Sequence, residues 1–183
     1  TKGWENENWD NWRDNIRTDW RMVDGQLRLT HLLIAFDWNS TDTITALDLS
    51  SLSELTYFDC EQYMNISALD LSNNTKLEYL HIYSEPLKSI DLSHCPNLIY
   101  FGFGTRNSTS SDLNGIYARN QLSSINMTGC TKLQKLYLEH VHLKTLDLSG
   151  FSNLISLHVE NCQDLSISNL AAANQLSTLE LPY

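Results

Sequence analysis

The sequence has few basic residues, few glycines and no long apolar run, and each shortage excludes a class of protein. Only 12 Lys and Arg residues stand against 22 acids, giving a net charge of −10, whereas nucleic-acid binding requires a concentrated basic footprint. The longest apolar cluster, at 32–36, is strand-length, so we expect no membrane span in this chain. Only seven glycines are present, and the Gly-x-Gly at 102–104 belongs to a repeat rather than to a phosphate-binding loop.

Leucine, in contrast, is abundant, with thirty residues, most of them in a Leu-x-x-Leu-x-Leu pattern that accepts other apolar residues. A first series comprises Leu33-Phe36-Trp38, Leu55-Phe58-Cys60, Leu77-Leu80-Ile82, Leu98-Phe101-Phe103, Leu133-Leu136-Leu138, Leu154-Leu157-Val159 and Leu176-Leu179-Leu181. A second series falls between, at Ile44-Leu47-Leu49, Ile66-Leu69-Leu71, Leu87-Ile90-Leu92, Leu122-Ile125-Met127 and Leu143-Leu146-Leu148, with a degraded member at Leu165-Ser168-Leu170. Each series recurs every 21 or 22 residues, so each coil has one short strand on each side. Stacked coils about 4.8 Å apart would join these strands into parallel sheets over one leucine core.

The stretches ALDLSNNTKLEYLHI (68–82) and SIDLSHCPNLIYFGF (89–103) resemble the nested 21-residue leucine-rich repeats of exported and surface proteins of gut Bacteroidetes. The resemblance covers about 33–181 and implies an α/β-type leucine-rich-repeat solenoid that is mostly β. It also implies an exported bacterial protein, at the cell surface or outside the cell. Many coils lack the usual Asn after the first strand, so a continuous asparagine ladder is not expected.

Two segments depart from the repeat. Trp9, Trp12, Ile16 and Trp20 are spaced as on one helical face, which predicts a Trp-rich helical cap over 1–32, with a ligand platform as the alternative. The solenoid then occupies 33–183. Between Leu98 and Leu122 lie 24 residues where 11 are expected, and the surplus is polar, which predicts a loop insertion at about 104–117.

The four cysteines, Cys60, Cys95, Cys130 and Cys162, are far apart and form no Cys-x-x-Cys pair. Their spacing argues against a zinc site, and their low density argues against a disulfide scaffold. We therefore predict free thiols. Cys95 and Cys130 occupy the same turn position of consecutive coils, so a bridge between them is the alternative.

Side chains alternate along a strand, so each coil also presents residues to solvent. In the second series these are Asp48, Asp70, Asp91, Asn126 and Asp147, a uniform column that predicts hydrogen bonds to turn backbones, with Ca²⁺ binding as the alternative. In the first series they vary, and Tyr57, Tyr79 and Tyr100 fall on successive coils. The candidate binding residues on this side are Tyr57, Tyr79, Tyr100, Tyr83, Tyr137, Asp59, His81, His158, Glu61, Glu139 and Glu160. The first coil is expected to place Asp37 beside Asp59 and Ala35 beside Tyr57.

These features predict a non-enzymatic binding module without a cofactor, acting in protein recognition or adhesion through the variable side. Tyrosines are good contact residues, and the acidic flank favours a basic protein partner. A carbohydrate-binding module that uses the Tyr column and a spacer without a ligand are the alternatives. Glu139, His140, His142, His158 and Glu160 form the best candidate metal cluster, but solvated turn histidines are the favoured interpretation because no nucleophile or general base accompanies them.

Overall fold

The chain forms a β-solenoid, and the computed structural model describes residues 16–34, 44–84, 86–104 and 121–181, with backbone alone at 61–64. Within these ranges lie twelve strands, a 3₁₀ turn at Leu170–Ala172 and no α-helix. The strands are β1 Ile16–Val23, β2 Gln26–Ile34, β3 Tyr57–Met64, β4 Tyr79–Ser84, β5 Ser89–Asp91, β6 Tyr100–Phe103, β7 Ser124–Asn126, β8 Lys135–Glu139, β9 Thr145–Asp147, β10 Ser156–Glu160, β11 Ser166–Ser168 and β12 Thr178–Glu180. No helix in the described ranges could cross a membrane.

One side of the solenoid is an eight-stranded sheet in the order β1-β2-β3-β4-β6-β8-β10-β12. Its strands from β2 onward are parallel and in register, as in Leu80 opposite Phe101 and Phe101 opposite Leu136. The other side has two separate two-stranded sheets, β5–β7 and β9–β11. The leucines of both series meet between the two sides, and the predicted core residues Leu80, Leu136 and Leu157 are at most 1% exposed.

The predicted helical cap is wrong where the structure describes it. Ile16 and Trp20 lie in β1, which pairs antiparallel with β2. The connecting turn is Asp24-Gly25, and both residues have positive φ, 50° and 75°, the conformation of tight hairpin turns that favours glycine. Trp4, Trp9 and Trp12 lie outside the described residues.

The expected alignment of the first coil is also wrong. β2 pairs with β3 through His31 opposite Tyr57 and Leu33 opposite Asp59, four residues before the alignment that the leucine pattern predicts. The other edge of β2 is paired with β1 in the hairpin. Ala35, Phe36, Asp37 and Trp38 lie outside the described residues.

Side chains at one turn position join consecutive coils in two places. The Asn74 amide donates to the carbonyls of Leu49 and Leu52, at 3.1 and 3.0 Å. The Cys130 thiol contacts the carbonyls of Leu92 and Cys95, at 3.3 and 3.7 Å. All four cysteines are free, as predicted. The turn position supplies a coil-to-coil hydrogen-bond donor where Asn74 and Cys130 occupy it.

The insertion predicted at about 104–117 lies almost wholly outside the described residues, which resume at 121. β6 and β8, on either side of it, pair directly from Tyr100 opposite Lys135 to Phe103 opposite Leu138. The main sheet therefore continues without interruption across this part of the chain.

Candidate functional site

The variable face, meaning the outward side of the eight-stranded sheet, carries a stack of aromatic rings. His31, Tyr57, Tyr79 and Tyr100 occupy one column of the strand register. The centroids of Tyr57 and Tyr79 are 4.2 Å apart and those of Tyr79 and Tyr100 are 4.4 Å apart, with interplanar angles of 12° and 8°. His31 extends the stack at 5.7 Å from Tyr57. The in-register pairing of parallel strands produces this stack, because equivalent side chains then lie one strand spacing apart.

Asp59 holds the stack in place from the neighbouring column. Its Oδ2 accepts hydrogen bonds from the hydroxyls of Tyr57 and Tyr79, at 3.0 and 3.3 Å. Its Oδ1 lies 3.1 Å from Nδ1 of His81. Asp59 is 1% exposed and His81 is fully buried, so these partners offset the cost of removing a carboxylate from water.

Two glycines explain why polar residues on an outward face are buried. A Cβ on Gly102 would lie 2.4 Å from the His81 ring and 2.8 Å from the Tyr100 hydroxyl. A Cβ on Gly104, where φ is 135°, would lie 2.5 Å from the Cβ of Glu139. The neighbouring side chains fill the space that these two positions leave open, so the face is closely packed rather than open.

A second stack lies toward the last strand. The rings of Tyr137 and His158 are 4.5 Å apart and nearly parallel, at 13°. The Tyr137 hydroxyl donates to Oε2 of Glu139 at 3.1 Å, and burial, followed by the Glu139 charge, raises the pKa of Tyr137. His158 lies between two carboxylates, with Nδ1 2.6 Å from Oε2 of Glu180 and Nε2 3.2 Å from Oε2 of Glu160.

The structure divides the candidate binding residues into three groups. Five of them are partly exposed on the face: Tyr79, Tyr100, Tyr137, His158 and Glu160. Four lie within the face and are buried: Tyr57, Asp59, His81 and Glu139.

Tyr83 was expected to point outward but is fully buried in the core, where its ring lies 6.2 Å from Phe103. The β3–β4 ladder is irregular between Cys60 and Met64, beside Tyr83. Glu61 lies in β3, and its side chain is outside the described part.

The proposed metal cluster does not assemble as a ligand set in the described residues. No group of three or more His, Cys, Asp or Glu side chains there could hold a metal ion. His158 is placed between Glu160 and Glu180, while His140 lies 3.7 Å from Glu139 and its pKa is lowered by burial. His142 is exposed in the following turn.

The uniform column on the opposite side has the structural role predicted for it. The backbone N–H groups of Ser50, Ser72, Ser93 and Ser149 each donate to the Asp two residues earlier, at 2.9 Å. Hydrogen bonds from the side chain and then the backbone of the following Ser lower the pKa of Asp48 and Asp91. The backbone bond is the larger cause for Asp70, and the Asn169 side chain is the largest cause for Asp147. Asn126 takes the same role toward Thr128 at 3.1 Å.

The leucine pattern does not place His31 in the site. It was missed because the leucine pattern placed the first coil four residues later, and only the Asp24-Gly25 hairpin signal could have corrected that register. Glu180 also belongs to the site because it contacts His158, and it lies in β12.

Neither a family model nor a curated protein matches the chain. Among solved structures, it is similar to the functional domain of InlJ from Listeria monocytogenes, described as including a cysteine ladder. The identity is 22%, the TM-score is 0.32, and the match covers 84% of this chain and 44% of that one. The chain thus spans less than half the length of that domain.

Proposed function

We propose that the protein is a non-enzymatic protein-binding module that recognises its partner through the variable face. The stack of Tyr57, Tyr79 and Tyr100 carries this proposal. Its rings are fixed by one another and by the Asp59 carboxylate. A surface that is already ordered loses little conformational entropy on binding, which favours affinity.

The ring geometry favours a protein over a glycan. A sugar ring packs flat against the face of an aromatic ring, but Tyr79 has Tyr57 on one face and Tyr100 on the other. What the stack offers to a partner is therefore the edges of its rings. Ring edges carry partial positive charge and suit backbone carbonyls and other aromatic rings of a protein surface.

The charge of the face favours a basic partner. Glu160 and Glu180 are exposed or partly exposed beside His158, and Asp59 and Glu139 lie beneath the surface. Lys135, which is exposed in the column of the aromatic stack, carries the opposite charge to these four acidic residues. Association with a basic protein should then be steered electrostatically, with an on-rate that falls as salt rises.

The location that suits this role is the surface of a bacterial cell or the medium outside it, in adhesion or recognition. The resemblance of the repeats to those of exported proteins supports this part of the proposal. Protease treatment of intact cells that express the native gene tests it. Degradation of the protein on intact cells is the expected result, and protection until lysis would contradict it.

The binding experiment compares Tyr79→Ala with Ser89→Ala, a matched truncation on β5 of the opposite side. Each folded variant and the parent are applied to arrays of extracellular proteins and of glycans. We expect protein binding that Tyr79→Ala weakens about fivefold or more and that Ser89→Ala leaves unchanged. Loss of binding with the Ser89 variant alone would place the binding surface on the other side of the solenoid.

The same arrays decide between the alternatives. Binding to neutral glycans with little salt dependence would indicate a carbohydrate-binding module instead. No binding on either array would favour a spacer.

A further inference from the structure

The side of the solenoid opposite the variable face is split between two consecutive coils. β7 pairs only with β5 and β9 only with β11 among the described strands, although β7 and β9 belong to neighbouring coils. On the variable face, strands β8 and β10 of the same two coils pair over five residues. The two coils are therefore joined by paired strands on the variable face, whereas their strands on the opposite side do not pair with each other.

The turn position described above also changes in the second of these two coils. Asn74 and Cys130 each donate a hydrogen bond to carbonyls of the preceding coil. In the coil that contains β9 this position is Phe151, whose side chain has no donor. Asn153 still donates to the Thr131 carbonyl at 2.8 Å, so the two coils stay joined beyond the split.

A cavity of about 460 Å³ opens at this split, within the size range of ligand pockets. Apolar side chains form much of its lining, namely Ile125, Met127, Leu143, Leu146 and Phe151, together with Cys130. Met127 is only partly buried, whereas Leu92 and Leu148, at the same repeat position, are fully buried. Burial raises the pKa of Cys130 to about 11, so its thiol is neutral near pH 7.

The polar lining of the cavity includes one charged group. Asp147 is exposed, and its Oδ1 accepts hydrogen bonds from the Asn169 side chain at 2.8 Å and from the Ser149 N–H at 2.9 Å. These bonds lower its pKa, so it is anionic at neutral pH. Asn126 lies across the split, but its amide donates to Asp91 and its oxygen accepts from Thr128. The cavity thus has a mixed apolar and polar lining with one fixed negative charge.

We propose that this cavity, the β7–β9 cleft, binds a small organic cation. Its apolar body would pack against Met127, Leu146 and Phe151, and its ammonium or guanidinium head would pair with Asp147. The site lies on the opposite side from the variable face and does not depend on the function proposed for that face.

The first test is an NMR titration of the ¹⁵N-labelled chain with three probes of similar shape and different charge. These are 2-phenylethylammonium, 2-phenylethanol and 3-phenylpropanoate. We expect the cation to shift the amide signals of Ile125 and Leu146 and to bind about tenfold more tightly than the neutral alcohol. The anion should bind most weakly. Asp147→Asn should remove the preference for the cation.

The second test changes the apolar lining of the cleft. Phe151→Asn replaces an apolar ring of the lining with a polar amide, so it should abolish binding, while Phe151→Leu keeps an apolar side chain and should keep binding. If Phe151→Asn does not fold, the charge series on the parent and on Asp147→Asn decides alone. No shifts at the cleft with the cation, equal affinity for all three probes, or undiminished binding by a folded Phe151→Asn would each overturn the proposal.

Discussion

At the scale of single residues, the variable face is held together by buried polar side chains with shared partners. Asp59 accepts from two tyrosine hydroxyls and contacts His81, and Tyr137 donates to the buried Glu139. Each of these contacts links neighbouring positions of one strand or of adjacent strands. The polar groups therefore fix the shape of the face as well as its charge.

Asp59→Ala should be strongly destabilising for a single substitution. It removes the buried carboxylate that accepts from the hydroxyls of Tyr57 and Tyr79 and contacts the His81 ring. An orphaned buried donor costs about 1–3 kcal/mol, and we expect a loss of at least that size in urea denaturation. The control is Asp70→Ala on the opposite side, where the carboxylate is exposed and accepts from Ser72. Equal losses for the two variants would contradict the role given to Asp59.

The buried thiols predict a loss of stability at alkaline pH. Burial raises the pKa of Cys95 to about 12 and that of Cys130 to about 11, against about 8.5 in an unfolded chain. Between these values the unfolded chain has lost protons that the folded chain keeps, so the free energy of unfolding falls as pH rises. The stabilising contribution of the two thiols is fully present below about pH 8, where they are protonated in both the folded and the unfolded chain.

The measurement compares urea midpoints at pH 7.5 and 9.8. The parent should lose more stability over this interval than the double variant Cys95→Ala/Cys130→Ala. Parallel pH profiles for the two proteins would show that the thiols do not cause the decline.

At the scale of elements, the in-register ladder is what positions the site. β4, β6 and β8 align Tyr79, Tyr100 and Lys135 in one column although the chain between β6 and β8 is longer than in other coils. The register of the main sheet therefore does not depend on the length of the connection between its strands. A change in one connection leaves the order of the main sheet intact.

Deletion of 105–115 should therefore leave the solenoid folded. The segment contains no apolar residue except Leu113, and loops of this composition tolerate deletion. Circular dichroism and a thermal melt close to those of the parent are the expected results. Failure of the shortened chain to fold would show that the insertion is a structured element.

The leucine pattern predicted the main sheet well because the repeat spacing and strand alternation determine which residues enter the core. It failed at the N-terminus for a physical reason. A spacing of four residues, as from Ile16 to Trp20, places side chains on one face of a helix and also on one face of a strand. Pairing with β2 through the Asp24-Gly25 turn determines which of the two forms.

The candidate site was only partly predictable. Strand alternation placed Asp59, His81 and Glu139 on the outward side, but alternation does not report burial. That depends on Gly102 and Gly104, beside which neighbouring side chains can pack. The cleft between β7 and β9 depends on which strands of neighbouring coils pair on that side, and the repeat pattern does not report pairing.

At the scale of the whole molecule, stability depends on position along the solenoid. The core column runs through Phe58, Leu80, Phe101, Leu136, Leu157 and Leu179. Its inner members are at most 1% exposed, but Leu179 in β12 is 44% exposed. Each coil contacts only its neighbours, and among the described strands β12 pairs on one edge only, with β10.

Leu80→Ala, Leu136→Ala and Leu157→Ala should each cost about 2–5 kcal/mol of unfolding free energy, because each leaves a cavity in a closely packed core. Leu179→Ala is the matched control and should cost clearly less. Chemical denaturation of the four variants gives the comparison. Thermal melts of the inner variants within a degree or two of the parent would contradict the register.

The parallel tyrosine rings also give the molecule an optical reporter. Rings at 4.2 and 4.4 Å with nearly parallel planes couple their electronic transitions, so the tyrosine circular dichroism measures whether β3, β4 and β6 are still aligned. All five tryptophans lie within the first 38 residues, so tryptophan fluorescence reports on the beginning of the chain. Recording both signals during one denaturation would show whether the coils melt together or from one end.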